Sequence, residues 1–213
     1  MGAPASMTVP AGVIGVVRAA TAAEGRTIVH GLIRAAVPAV ELTMTVPDAV
    51  AIIGEFAGLV RETALGAGTV LDPLTCVACA EAGATFVVSP VTDPDVLEQA
   101  HRRGVPYIGG ALTPTEVLAS MRAGSDAVKI FPVGAVGGAG YLRALREPLP
   151  ALRAVVSGGI SASQADAYLE AGAYAVCLGG ALIDHAAARR GDVGAVAARA
   201  RQVMNEIAHA SLS

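Results

Sequence analysis

The stretch VPYIGGALTPTEVLASMRAGSDAVKI, residues 105–130, decides the fold. It opens on a short apolar run, VPYIG (105–109), and reaches a helix start at Thr113-Pro114. There threonine can cap and proline can take the first helical position, where its missing N–H costs nothing. An Ala-rich helical segment follows and stops at Gly124, a residue suited to a left-handed helix cap. The chain then returns to a strand, DAVKI (126–130). This is one strand–helix–strand unit.

Outward from it the pattern repeats about every 20 to 25 residues, the mark of an array. The other strand candidates are GVIGVV (12–17), AVELT (39–43), ALGAG (64–68), TFVVS (85–89), AVVS (154–157) and AVCLG (175–179). Asp93-Pro94 and Ser161 supply further helix starts, and Gly83, Gly104 and Gly172 further stops. Val193, Val196, Ala200, Val203 and Ile207 share one face of a last helix. Most strands are apolar on both faces, as in a parallel sheet covered by helices. Eight strands alternating with eight helices in roughly 200 residues predict an α/β fold, a single-domain (β/α)8 TIM barrel. Residues 11–213 form that barrel and residues 1–10, rich in Ala, Pro and Ser, a flexible N-terminal tail. A doubly wound sheet is the alternative, but no glycine-rich phosphate loop follows the first strand.

Composition limits the partners. The 213 residues are 54% hydrophobic, 15% charged and 3% aromatic. A mean hydropathy of +0.58 is too apolar for disorder. Yet every apolar run breaks well short of the roughly 18 residues of a membrane span. A net charge of −3 offers no basic face, so neither nucleic acid nor membrane is an expected partner. Cys76 and Cys79 form a C-x-x-C without the second pair of a structural zinc site. They read as small core residues of a helix. Three cysteines and no signal peptide point to a reducing, cytoplasmic setting.

The basic residues comprise 14 arginines and one lysine, Lys129. A chain that otherwise uses only arginine keeps lysine inside the apolar run AVKIF. Lysine can give up its proton and act as a nucleophile, whereas arginine effectively cannot. Poor hydration there disfavours the ammonium form, and a neutral amine can attack a ketone to form an iminium.

Chemistry in such a barrel gathers at the C-terminal ends of the strands. Those ends carry Arg18; Glu41, Thr43 and Thr45; Thr69; Ser89-Pro90; Gly109-Gly110; Lys129; Ser157-Gly158-Gly159; and Gly179-Gly180. Strand alternation puts Glu41, Thr43 and Thr45 on one face and Leu42 and Met44 on the other. The apolar pair should face the helices, so Glu41 points into the barrel, where a carboxylate needs a partner. Phe131 shares the face of Lys129. The glycine pairs after strands seven and eight suit a phosphate held by backbone N–H groups. The planar fork of Arg18 is placed to pair with a carboxylate. His30, His101, His185 and His209 show no metal-ligand spacing with carboxylates, so no metal is expected.

These residues sit in motifs that resemble a known family. VELTMTVPDA (40–49), LGAGTVLDP (65–73), GATFVVSP (83–90), GALTPTE (110–116), AVKIFP (127–132) and SGGIS (157–161) are similar to the 2-keto-3-deoxy-6-phosphogluconate (KDPG) / 4-hydroxy-2-oxoglutarate (KHG) aldolases. The resemblance implies a class I aldolase without cofactor, a homotrimer, acting on a 2-keto acid and releasing pyruvate. It implies Lys129 as imine former, Glu41 as general acid/base, and Thr69 against the pyruvate portion. Arg18 would bind a carboxylate, and Ser157, Gly158, Gly159, Gly179 and Gly180 would line the phosphate site. Thr43, Thr45, Pro90 and Phe131 complete the expected substrate contacts. Some members carry arginine where this chain has Thr45. Many have Thr before the first Gly-Gly and Ser in the last loop, where Ser157 and Gly180 stand here, so a weaker phosphate preference is expected. Three other readings stay open: a 2-keto-3-deoxy-6-phosphogalactonate aldolase, an isomerase or transferase without an imine, and a silent phosphate-binding barrel.

Overall fold

Parallel pairing of neighbouring strands, with the last returning to the first, closes the sheet into an eight-stranded barrel in chain order. The computed structural model describes residues 8–59 and 62–210. The strands are β1 (Gly12–Val17), β2 (Ala39–Thr43), β3 (Ala64–Gly68), β4 (Val87–Val88), β5 (Tyr107–Ala111), β6 (Ala127–Ile130), β7 (Ala154–Val156) and β8 (Ala175–Leu178). The helices are α1 (Ala22–Arg34), α2 (Ala49–Ala57), α3 (Pro73–Glu81), α4 (Pro94–Arg102), α5 (Pro114–Ala123), α6 (Gly138–Arg146), α7 (Ala165–Glu170), α8 (His185–Arg189) and α9 (Val193–Ala210). Short 3-10 turns at Val133–Val136 and Ala162–Gln164 precede α6 and α7.

Two apolar layers follow from strand alternation. Side chains pointing inward, among them Ile14, Val16, Ala39, Phe86, Val88, Ile108, Ala127, Val155 and Cys177, pack into a cluster inside the barrel. The alternate positions, such as Val17, Val40, Leu42, Leu65, Val128 and Val156, pack outward against the helices. Every residue of β2, β5 and β6 is buried. That explains why these strands read as apolar on both faces apart from Glu41, Thr43 and Lys129.

The expected caps form. Thr113 accepts from Glu116 N while the Glu116 carboxylate returns to Thr113 N, a full capping box. Asp93 caps α4 through Asp95 N and Val96 N. Gly83, Gly104, Gly124 and Gly172 all adopt positive φ where helices end.

Several boundaries differ from the sequence reading. TFVVS shortens to Val87–Val88. The fifth strand starts two residues late, at Tyr107, because Pro106 has no N–H for the ladder, and runs on to Ala111. The described residues hold nine α-helices in place of eight, because Gly191 at φ +75 separates α8 from α9. Of the expected tail, residues 1–7 lie outside the described residues, but Val9 is fully buried in the barrel floor. Its carbonyl accepts from Tyr174 Oη at 3.1 Å, so ordered packing begins before residue 11.

Candidate active site

Glu41 on β2 and Lys129 on β6 point inward from opposite sides of the barrel. Lys129 Nζ donates to Glu41 Oε1 at 3.2 Å, with the side chains 5% and 0% exposed. A buried ion pair is costly to assemble and more so to break, which makes it poor evidence of a stability role. Glu41 Oε2 is buried without any hydrogen-bond partner.

Neighbouring strands make room for this pair. Glu41 lies across β3, and a Cβ at Gly68 would overlap Glu41 Oε1 and Cγ. One layer lower, the Phe86 ring stands 2.6 Å from where a Cβ of Gly66 would sit. The glycines of ALGAG are therefore the floor on which an acid and an aromatic ring rest. Gly110, which pairs with Lys129, leaves space for the Pro90 backbone in the same way. The Phe131 ring centroid lies 5.7 Å from Lys129 Nζ.

A cavity of about 520 Å³ opens at the C-terminal ends of β1, β6, β7 and β8, lined by Arg18, Phe131, Ser157, Gly158, Gly159, Cys177, Gly179 and Gly180. It gathers the expected phosphate residues with Arg18, the one charged side chain in its lining. Arg18 is exposed and has no ion pair or hydrogen bond among the described residues. Arg18, which the sequence reading expects to pair with a carboxylate, thus shares a cavity with both glycine pairs expected to hold a phosphate. Gly158 and Gly159 have φ of +94 and +74, a left-handed backbone that side-chain-bearing residues rarely adopt.

Other expected residues are placed differently. The Thr43 hydroxyl is already engaged, donating to Val17 O at 2.9 Å and meeting Thr45 Oγ1 at 2.8 Å. It ties the end of β2 to the end of β1, just before Arg18, and leaves Thr45 exposed at the rim. Thr69, half-buried just past β3, has φ +58, an outlier for a β-branched residue and of the kind that clusters at functional sites. Pro90 lines a separate cavity of about 480 Å³, with Val91, Leu112, Glu116 and Ala119, which meets the first only at Phe131.

Two residues were missed by sequence reasoning. Glu24 is 6% exposed; its carboxylate accepts from Ala20 N at 3.3 Å and meets His185 Nδ1 at 3.2 Å. This clasp joins the Arg18 loop to the start of α8, which closes the Gly179-Gly180 loop. Arg199 holds the same loop through Ala181 O at 3.0 Å. A first-turn acid and a lone histidine carry no signal that they meet across 161 residues.

The cysteines lie where small apolar residues would. Cys76 and Cys79 are buried on α3, and burial pushes their thiols up to about 11 and about 12. Cys177, beneath the main cavity, is pushed to about 12 by burial first and then by the Glu41 charge. Among the described residues no three His, Cys, Asp or Glu side chains converge as a metal site, and no helix is long and apolar enough to cross a membrane.

Comparison with known proteins places this geometry. Residues 5–199 match the family model for KDPG and KHG aldolases. The chain is 35% identical over 145 residues to 2-dehydro-3-deoxy-phosphogluconate aldolase of Pseudomonas aeruginosa, covering 68% of this chain and 66% of that protein. It is 33% identical over 174 residues to the KHG/KDPG aldolase of Escherichia coli K12, covering 81% of each. A solved structure described as native KDPGal superposes with TM-score 0.77 at 27% identity, covering 92% of this chain and 96% of that one.

Proposed function

The chain belongs to the KDPG and KHG aldolase family of carbon–carbon lyases, and from that premise we propose that Lys129 and Glu41 carry out its imine-forming cleavage. The observation that carries the reading is the buried Lys129–Glu41 pair with one carboxylate oxygen unpartnered. Lys129 Nζ attacks the C2 ketone of a 2-keto-4-hydroxy acid; water leaves and an iminium forms. Glu41 takes the proton of the C4 hydroxyl as the C3–C4 bond breaks. The bonding pair flows into the iminium to give an enamine, and the aldehyde departs. Glu41 returns the proton to C3, and water releases pyruvate and the free amine. No metal or cofactor enters any step.

Thr69, whose left-handed backbone sits just past β3, contacts the pyruvate portion, and Thr45, Pro90 and Phe131 make further contacts with the substrate. The far end of the substrate occupies the cavity of Arg18, Ser157, Gly158, Gly159, Gly179 and Gly180, where backbone N–H groups and one guanidinium suit a phosphate. The Gly179-Gly180-Ala181 turn brings no hydroxyl, so the phosphate end is held less firmly than a serine there allows. Location in a reducing, cytoplasmic compartment and assembly as a homotrimer belong to the same proposal. Three buried free thiols fit the first. Leu71 and Val91 in loops, 55% and 51% exposed, and Leu74 in the first turn of α3, 81% exposed, fit a subunit contact.

The test is pyruvate release from 2-keto-3-deoxy-6-phosphogluconate, its galactonate epimer, their unphosphorylated acids and 4-hydroxy-2-oxoglutarate. Cleavage of at least one 2-keto-4-hydroxy acid to pyruvate is expected, and failure with all of them would remove the proposal. Sedimentation of the 21.2 kDa chain reads the assembly state.

A further inference from the structure

We propose that the N-terminus of α6 and the Tyr168 hydroxyl form a second anion site, on the back of the Ser157–Ser161 loop, that takes a phosphate group. This inference is independent of the catalytic reading. A cavity of about 310 Å³ lies there, bordered by Gly137, Gly138, Ala139, Gly159, Gln164 and Tyr168. Of these only Gly159 also borders the Arg18 cavity, so the loop stands as a wall between two spaces.

The chemistry of the lining is donor-rich. The N–H groups of Gly138, Ala139 and Gly140 open α6 and have no acceptor within it. Its N-cap, Gly137, has no side chain to cap them, and the first turn holds no acidic residue. The aligned peptide dipoles leave partial positive charge at this end, which favours an anion.

Tyr168 supplies a second, independent indication. The residue is 3% exposed, its hydroxyl makes no hydrogen bond among the described residues, and the oxygen is open to the cavity rather than sealed in the core. It borders this cavity, and a Cβ at Gly138 would stand 3.2 Å from the hydroxyl oxygen, so the group lies against the first turn of α6. Burial pushes its ionisation upward, which keeps it a neutral donor at physiological pH. The Gln164 side-chain oxygen is held by Ser161 N and Ser161 Oγ, both at 3.0 Å, leaving its NH₂ to donate. The backbone N–H groups of Gly138 and Ala139, a phenol and a carboxamide border the cavity and suit an oxyanion with several acceptors. With no cation in the lining, affinity should be in the millimolar range.

The experiment is a ¹⁵N-labelled full-length chain titrated with inorganic phosphate, and in a second arm with glycerol 3-phosphate, at fixed ionic strength. Sodium chloride alone is the control. Saturable shifts of the Gly138, Ala139 and Gly140 amides are expected, separate in midpoint from those of Gly179 and Gly180. Response in both arms identifies the phosphate group as what is recognised; response to the free ion alone identifies inorganic phosphate, and to the ester alone a monoester. Tyr168→Phe, which removes only the hydroxyl, should weaken the α6 response about tenfold and leave that of Gly179 unchanged. Ala139→Glu, which brings a carboxylate to the same helix end, should abolish it. The proposal is overturned if the α6 amides do not move, follow chloride equally, or keep the same midpoint in Tyr168→Phe.

Discussion

Gly68→Ala should disable the enzyme without altering any reacting atom. The new Cβ would stand 2.6 Å from the Glu41 carboxyl carbon, against 3.4 Å at the near edge of ordinary contact. Oε1 would stand nearer still, so the carboxylate must move by about 1 Å or more, and its 3.2 Å contact with Lys129 should open. Misplacing a catalytic group by about 1 Å costs on the order of a hundredfold in rate. Gly66→Ala is the matched control: the same strand, two residues away, with the Phe86 ring as the obstructed neighbour at 2.6 Å. Both substitutions overpack the barrel and should lose about 1–3 kcal/mol. For a domain of this size that lowers Tm by roughly 2–4 °C per kcal/mol. Only Gly68→Ala should also lower kcat per folded molecule about a hundredfold. The assay is pyruvate release coupled to NADH oxidation, well below both melting points, beside thermal unfolding of each variant. Wild-type kcat in Gly68→Ala, or an equal loss in Gly66→Ala, would refute the position assigned to Glu41.

The remaining expectations are briefer. Glu41→Gln keeps imine formation but slows turnover and deuterium exchange at the pyruvate methyl group by about 10²- to 10⁴-fold; exchange at wild-type rate would mean another base. Arg18→Ala, losing a charged hydrogen-bond donor, should lower kcat/KM for phosphorylated substrates about ten- to a hundredfold, and for unphosphorylated ones far less. Because the Gly179-Gly180-Ala181 turn lacks a hydroxyl, the wild-type preference for phosphorylated over unphosphorylated acids should stay below about 10⁴-fold, and a larger ratio would show the site complete without it. With thiols raised to about 11, about 12 and about 12, Cys76, Cys79 and Cys177 are protonated at pH 8. Iodoacetamide should therefore leave them unmodified in the native state and label all three after denaturation, as read by intact mass.

The barrel was legible because its signals are local. Caps at Asp93, Thr113 and Gly124 and continuous apolar strands each depend on a few adjacent residues. The inward turn of Glu41 followed from the period of two, since Leu42 and Met44 had to face the helices. The sequence did not carry the distances between strands. That Thr43 would be taken up by Val17 O, that Arg18 would join the glycine cavity, and that Glu24 would clasp His185 all depend on ring closure of the barrel. ALGAG reads only as a strand candidate, and the purpose of its glycines shows only once Glu41 and Phe86 lie across them. Val9 falls within the Ala-, Pro- and Ser-rich stretch that reads as a tail, and its burial shows only in the closed barrel.

The most direct measurement is reductive trapping. The chain offers two kinds of primary amine, Lys129 and the N-terminus, so the chemistry has almost no background. Incubation with pyruvate and sodium borohydride, followed by intact mass and peptide mapping, should show one reduced adduct per chain, on Lys129, absent in Lys129→Ala. Folded protein that takes up no adduct, or takes it up with Lys129 unmodified, would contradict the imine mechanism.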